Sequence, residues 1–122
     1  MKYFTFRELT ASPTAERLGL DNMPKSIEII DNLCKLGDTV LDPLRTATGF
    51  PVIITSGYRC QELNSAVGGV RNSRHLLGLA ADINCGMTRN LAVYEWLCRE
   101  RKHLMLKELL WEGNGQWVHV AI

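Results

Sequence analysis

Near the end of the chain, Asn114-Gly115 separates two apolar, β-rich runs, Leu109 to Glu112 and Gln116 to Ile122. Asn-Gly favours the left-handed backbone of a tight hairpin turn, so this pair commits the last stretch to two antiparallel strands. With a two-residue turn, Gly113 faces Gln116 and Glu112 faces Trp117. Cross-strand partners share a face, as do residues two apart along one strand. Glu112, Trp117 and His119 therefore share a face, with Glu112 diagonal to His119 at roughly 7–8 Å between Cα atoms. Trp111 and Val118 fall on the other face and are expected to pack under helices. A loop one residue longer or shorter would reverse these faces.

The remaining chain supplies partners for this hairpin. Pro51 to Ser56 and Leu79 to Asn84 are short, apolar, partly β-branched runs that read as buried strands. Residues 1–23 read as an irregular arm with short helical pieces at Phe6 to Leu9 and Thr14 to Leu18. Pro24 stands where a helix takes its first residue, and Ile29, Ile30, Leu33, Leu36, Val40 and Leu41 follow at helical spacing. Gly37 and Pro43 interrupt that pattern and predict a bend or break. Gln61 to Val67 reads as a short helix. Thr88 is expected to cap a helix from about Arg89 to Lys102, with Leu91, Tyr94, Leu97 and Cys98 on one face. The expected class is α+β, with N-terminal helices packed on a small, mostly antiparallel sheet. At 122 residues and 46% hydrophobic, the chain suits a single domain over 1–122.

Charge and the termini exclude other classes. Fourteen basic against thirteen acidic side chains give a net charge of +1, which makes no case for nucleic acid. No apolar run approaches the roughly 20 residues that span a bilayer, so membrane insertion is not expected. The opening Met1 to Glu8 has no apolar stretch of the secretory type. The chain is thus expected to be made in the cytoplasm and to act outside only after release or delivery. Cysteines at 34, 60, 85 and 98 form no C-x-x-C pair and read as reduced, space-filling thiols, with Cys34 and Cys98 in the core.

Two polar segments place metal-type ligands beside apolar strands: Ser73 to Asp82, and Trp117-Val118-His119-Val120. Zinc accepts imidazole nitrogen and carboxylate oxygen, and a catalytic site takes three protein ligands with a fourth position open. His75, Asp82 and His119 could form that set, the first two brought together by a turn at Gly78. Asp82 within Leu79-Ala80-Ala81-Asp82-Ile83 is the most informative residue, because a buried carboxylate needs a partner or a metal. His119 alone would read equally as a core or surface residue. His103, in the charged stretch Arg99 to His103, is expected to face solvent.

Ser-x-His-x-x-Gly-x-Ala-x-Asp, here Ser73 to Asp82, resembles the first zinc motif of the D-alanyl-D-alanine carboxypeptidase family. That family belongs to the group with lysostaphin and hedgehog-type zinc domains. Trp117-x-His119 resembles its second motif, and Ser56-Gly57-Tyr58-Arg59 resembles an upstream segment whose arginine serves the active site. The resemblance runs over about residues 4 to 122 and is nearest the phage-type cell-wall peptidases. It implies a Zn2+ ion on His75, Asp82 and His119, and a peptidoglycan stem peptide as substrate. Arg59 would steady the substrate carbonyl or carboxylate, or else serve as a structural arginine paired with an acid. Ser73 would touch substrate or brace the His75 loop.

The chain departs from the family where the general base is concerned. Relatives often carry an acid three positions before the second histidine ligand, and Gln116 occupies that place here. Glu112 is the substitute that the hairpin face supplies, leaving Gln116 and Trp117 as substrate contacts. The activities implied are D,D-carboxypeptidase, D,D-endopeptidase or L-alanyl-D-glutamate endopeptidase, by a monomer. Gln116 also motivates an alternative, a non-catalytic, zinc-stabilised cell-wall-binding module.

Overall fold

In the computed structural model, which describes residues 1–122, the hairpin forms as β3 (Glu108–Glu112) and β4 (Trp117–Ala121). With β1 (Ile53–Ser56) and β2 (Ala80–Asn84) it completes a sheet of order β1-β2-β4-β3 in which every pair is antiparallel. Glu112 pairs with Trp117 and Leu110 with His119, so the expected faces hold. The connection is a tight 3-10 turn at Gly113–Gly115, closed by the Gln116 N–H donating to the Gly113 carbonyl at 3.2 Å.

Alternation along these strands divides the sheet into two chemically distinct faces. Ala81 and Ile83 of β2, Val118 and Val120 of β4 and Leu109 of β3 are buried against the helices. Asp82, His119, Trp117, Leu110 and Glu112 lie on the opposite face, because each is one residue out of phase with that set. Trp111 is on the helix side as expected, edge-to-face with Tyr94 at 5.5 Å, although it is still exposed.

The helical layer is built from α3 (Ile27–Leu36), α4 (Asp42–Thr48) and α6 (Met87–Glu100). Leu33, Leu36, Val40, Leu41, Leu44, Val93 and Leu97 are fully buried there. Each such side chain contributes roughly 1.5–3 kcal/mol of transfer free energy. α3 starts at Ile27 rather than Pro24, because Ser26 takes the N-cap and its hydroxyl accepts from the Ile29 N–H at 3.4 Å. The expected break does not occur: Gly37–Leu41 forms a π turn that joins α3 to α4 with helical backbone throughout. The wider turn leads into Pro43, whose ring would otherwise press on the carbonyl one α-turn earlier.

α6 departs from its expected face by one residue. Its buried stripe is Asn90, Val93 and Leu97, whereas Leu91 and Cys98 are exposed. Cys34 is only half-buried, so neither cysteine assigned to the core lies fully inside it, and all four thiols are free. Thr88 does not cap α6; Gly86, at φ 103°, is the N-cap. The reason for the rotation is polar. The Asn90 amide, wholly buried, donates to the Gly115 carbonyl at 2.8 Å and the Gln116 carbonyl at 3.1 Å, and its oxygen accepts the Cys85 N–H at 2.8 Å. Asn90 thereby ties the start of α6 to the hairpin turn.

The N-terminal arm carries α1 (Phe6–Thr10) and α2 (Pro13–Leu18), each with a hydroxyl N-cap, from Thr5 and Ser12. It is stitched to the segment after β1. Tyr58 N–H donates to the Leu9 carbonyl at 2.8 Å. Asn22 donates to the carbonyls of Thr10 and Tyr58, both at 2.9 Å, and accepts from Cys60 N–H at 2.7 Å. Gly57 allows the approach, since a Cβ there would overlap the Leu9 carbonyl. No helix is long and apolar enough to cross a membrane.

Candidate metal centre

Asp82 and His119 are direct cross-strand partners at the middle of the sheet. Their side chains point to the face turned away from α3, α4 and α6, and the imidazole Nδ1 of His119 lies 2.8 Å from Asp82 Oδ1. His75 reaches the same oxygen from a 3-10 turn, Arg74–Leu77, with its Nε2 at 3.4 Å. That turn is closed by Gly78 at φ 72°, where a Cβ would also press on the Ile29 carbonyl of α3. The glycine turn thus brings the histidine back over β2, as the sequence spacing predicts. All three ligand atoms lie within 4.8 Å of one another, and all three residues are buried.

The donor set fits zinc on geometric grounds. Four-coordinate zinc with bonds of about 2.0–2.1 Å sets its ligand atoms about 3.3 Å apart, close to the 3.4 Å between His75 and Asp82. The His75 Nδ1 is 2.7 Å from the Gly57 carbonyl, so it carries the proton and leaves Nε2 with a free lone pair. Ser73 holds the turn, its hydroxyl accepting the His75 N–H at 3.2 Å, and this is the bracing arrangement.

Charge in the cluster is arranged around Asp82. Burial pushes its carboxyl up, but the imidazoles of His119 and His75 beside it outweigh that and hold it at about 2. For His119, burial favours the neutral ring, and the carboxylates of Asp82 and Glu108 overcome it, so its pKa is raised. Arg59 stands at the edge of the cluster. Its Nη2 is 3.4 Å from Asp82 Oδ2, its Nε donates to Ser56 Oγ at 3.0 Å and its Nη1 to Asn64 Oδ1 at 3.1 Å. The acid it pairs with is Asp82, one of the three residues that could hold a metal ion. Burial lowers the Arg59 pKa, against the opposing pull of Asp82 and Glu112.

These groups line a hollow of about 400 Å³, whose floor is His75, Asp82 and His119 and whose walls include Arg59, Ser73, Glu108, Glu112 and Trp117. A second hollow of about 320 Å³ adjoins it, sharing Arg59, Val67, Asp82 and Trp117 and continuing over Thr55 and Ser56 to Ser12 and Thr14. Because the sheet order is β1-β2-β4-β3, the two together cross the sheet from the β3 edge to the β1 edge, passing over the ligands. Gln116 does not line either hollow; it is exposed, with its carbonyl held by Asn90. His103 is exposed as expected and borders a larger hollow of about 560 Å³ between α3 and α6, away from the ligand trio.

Two residues that bear on the site were not visible from the sequence. Asn64, in α5 (Gln61–Ala66), is buried and relays Arg59 to the Val70 carbonyl at 2.9 Å. Glu108 places a carboxylate 2.9 Å from the Nε2 of His119. The hairpin register carried a signal for Glu108, which is on the ligand face by the same alternation as Glu112.

The family described as peptidase M15 matches residues 2–121. The chain is also 45% identical over 85 residues to a zinc D-Ala-D-Ala carboxypeptidase of Streptomyces albus G, an alignment covering 66% of this chain and 32% of that protein. The chain spans about a third of the length of that curated relative.

Proposed function

Because the chain belongs to the peptidase M15 family, we propose that it is a zinc peptidase hydrolysing an amide bond in peptidoglycan stem peptides. The observation that carries this reading is the convergence of His75, Asp82 and His119 on one point of a cleft that also presents Arg59 and Glu112.

Zinc held by the three ligands supplies Lewis acidity toward the scissile carbonyl and lowers the pKa of water beside it. Glu112 takes the proton from the attacking water and passes it to the leaving amine nitrogen, the work of a general base turned acid. Its position on the ligand face of β3, lining the cleft, supports this role. Arg59 keeps its charge throughout and donates to the carbonyl oxygen as negative charge develops there. Its bonds to Ser56 and Asn64 hold the guanidinium in place beforehand. Trp117 borders both hollows and forms a wall for the peptide.

Space on both sides of the ligands favours a substrate that continues past the scissile bond in each direction, and so an endopeptidase. A carboxypeptidase needs room for only one residue beyond that bond. The wall lies outside the membrane, so the enzyme acts there after release or delivery from the cell that makes it.

The test is digestion of purified sacculi and of defined muropeptides by the zinc-loaded protein, with products identified by mass. Internal cleavage is expected, and Glu112→Gln is expected to lose about 10²–10⁴-fold in rate while keeping its zinc. Release of a terminal D-alanine alone would make it a carboxypeptidase. A wild-type protein that binds zinc and wall but cuts nothing would make it a binding module.

A further inference from the structure

The two histidines of the trio are held from behind in different ways. His75 Nδ1 meets a neutral backbone carbonyl, that of Gly57, at 2.7 Å. His119 Nε2 meets a carboxylate, Glu108 Oε1, at 2.9 Å, while its Nδ1 faces Asp82 at 2.8 Å. An imidazole ligand must give a lone pair from one nitrogen and keep its proton on the other. The nitrogen aimed at the other two ligands is Nδ1, so the proton belongs on Nε2, where Glu108 accepts it.

We infer that Glu108 is the positioning residue for His119: its carboxylate selects the Nε2–H form, stops rotation of the ring, and makes Nδ1 a stronger donor to the metal. The inference rests on the metal-centre reading above. Glu108 does this through the ring and not at the reacting atoms, because the imidazole lies between its carboxylate and Asp82. That separates it from Glu112, two turns of the pleat further along β3 and facing open cleft. The register explains why Glu is needed. Leu110 is the direct partner of His119, and Glu108 is diagonal to it on the same face. A diagonal neighbour is roughly 7–8 Å away at Cα, a span that a long side chain covers. A mere surface pairing is the competing account, since Glu108 is half-exposed at 43% of its side chain. Such a pairing would leave the metal indifferent to its loss, whereas outer partners of ligating histidines typically alter metal affinity by about 10–100-fold.

The experiment measures zinc affinity against a competing chelator for wild type, Glu108→Ala and Glu108→Gln, with no substrate present. Glu108→Ala is expected to bind zinc about 10–100-fold more weakly. Glu108→Gln keeps an acceptor oxygen without the charge and is expected to fall between the two. Nitrogen-15 NMR of the zinc-loaded wild type should show His119 protonated at Nε2, with that proton exchanging faster in Glu108→Ala. Matching circular dichroism spectra of the metal-free proteins check that the fold is intact. Zinc affinity of Glu108→Ala within twofold of wild type, or a zinc-loaded His119 protonated at Nδ1, overturns the inference alone. A wild type that binds no zinc overturns the metal-centre reading with it.

Discussion

Replacing Asn90 by alanine tests how the cleft is held together. The side chain is fully buried and makes four hydrogen bonds, to Cys85 N–H, the Asn84 side chain and the carbonyls of Gly115 and Gln116. Gln116 is exposed and can turn to water, and Asn84 keeps its bond to Gly86 N–H at 2.9 Å. The buried Cys85 N–H and the carbonyl of buried Gly115 have no such recourse. Each group left unpaired costs about 1–3 kcal/mol, so the loss is about 2–6 kcal/mol. At about 4 °C per kcal/mol for a domain of this size, the melting temperature should fall by about 8–24 °C. Asn90→Asp sharpens the test. It retains the acceptor for Cys85 N–H but turns a carboxylate oxygen toward the Gly115 carbonyl, so it should be no better than alanine. Circular dichroism melts of both variants at one pH and without metal give the comparison. A fall below 4 °C for alanine, or an aspartate variant close to wild type, would refute the claim that this amide holds the hairpin turn.

Two further outcomes follow from the geometry. His119 has a raised pKa, so its contribution to the stability of the metal-free protein is complete below the unfolded value near 6.5 and is lost as pH rises through the folded one. Asp82 is lowered from 3.8 to about 2, so its contribution is present above 3.8 and is lost as pH falls toward 2. The melting difference between wild type and His119→Gln, both without metal, should therefore be greatest between about pH 4 and 6.5. A difference that grows from pH 7 to 9 would contradict this sign. Gly57→Ala forces a methyl onto the Leu9 carbonyl and should cost about 1–3 kcal/mol. It should also weaken zinc, because the same residue's carbonyl orients His75; unchanged stability and unchanged zinc affinity would refute the close-packing account.

The ligand trio was legible in the sequence because its chemistry is local. A buried Asp in an apolar strand and a glycine turn carry their own signal, whereas His119 joins them through the resemblance of Trp117-x-His119 to a zinc motif. Glu112 was legible through the turn at Asn114-Gly115, which fixes the register and hence the face. What stayed hidden are polar side chains whose partners are distant in sequence. Asn22 meets Tyr58 and Cys60, and Asn90 meets Gly115 and Gln116. Apolar periodicity counts such residues as outward-facing, which is why it sets α6 one residue out of phase, with Leu91 inside. The join at Gly37 departs from its pattern for a related reason: helix-breaking residues predict a break only where no wider turn absorbs them.

Because Asp82 and His119 face each other across two central strands, the distance between them is set by sheet hydrogen bonds and does not depend on any loop. Residues 57–79, which join β1 to β2, and 101–107, which join α6 to β3, can lengthen or shorten while that pair stays put. Loop exchange is therefore a practical route to altered peptide selectivity in this scaffold. It should leave ion capture intact as long as Gly57 and the turn carrying His75 are both kept.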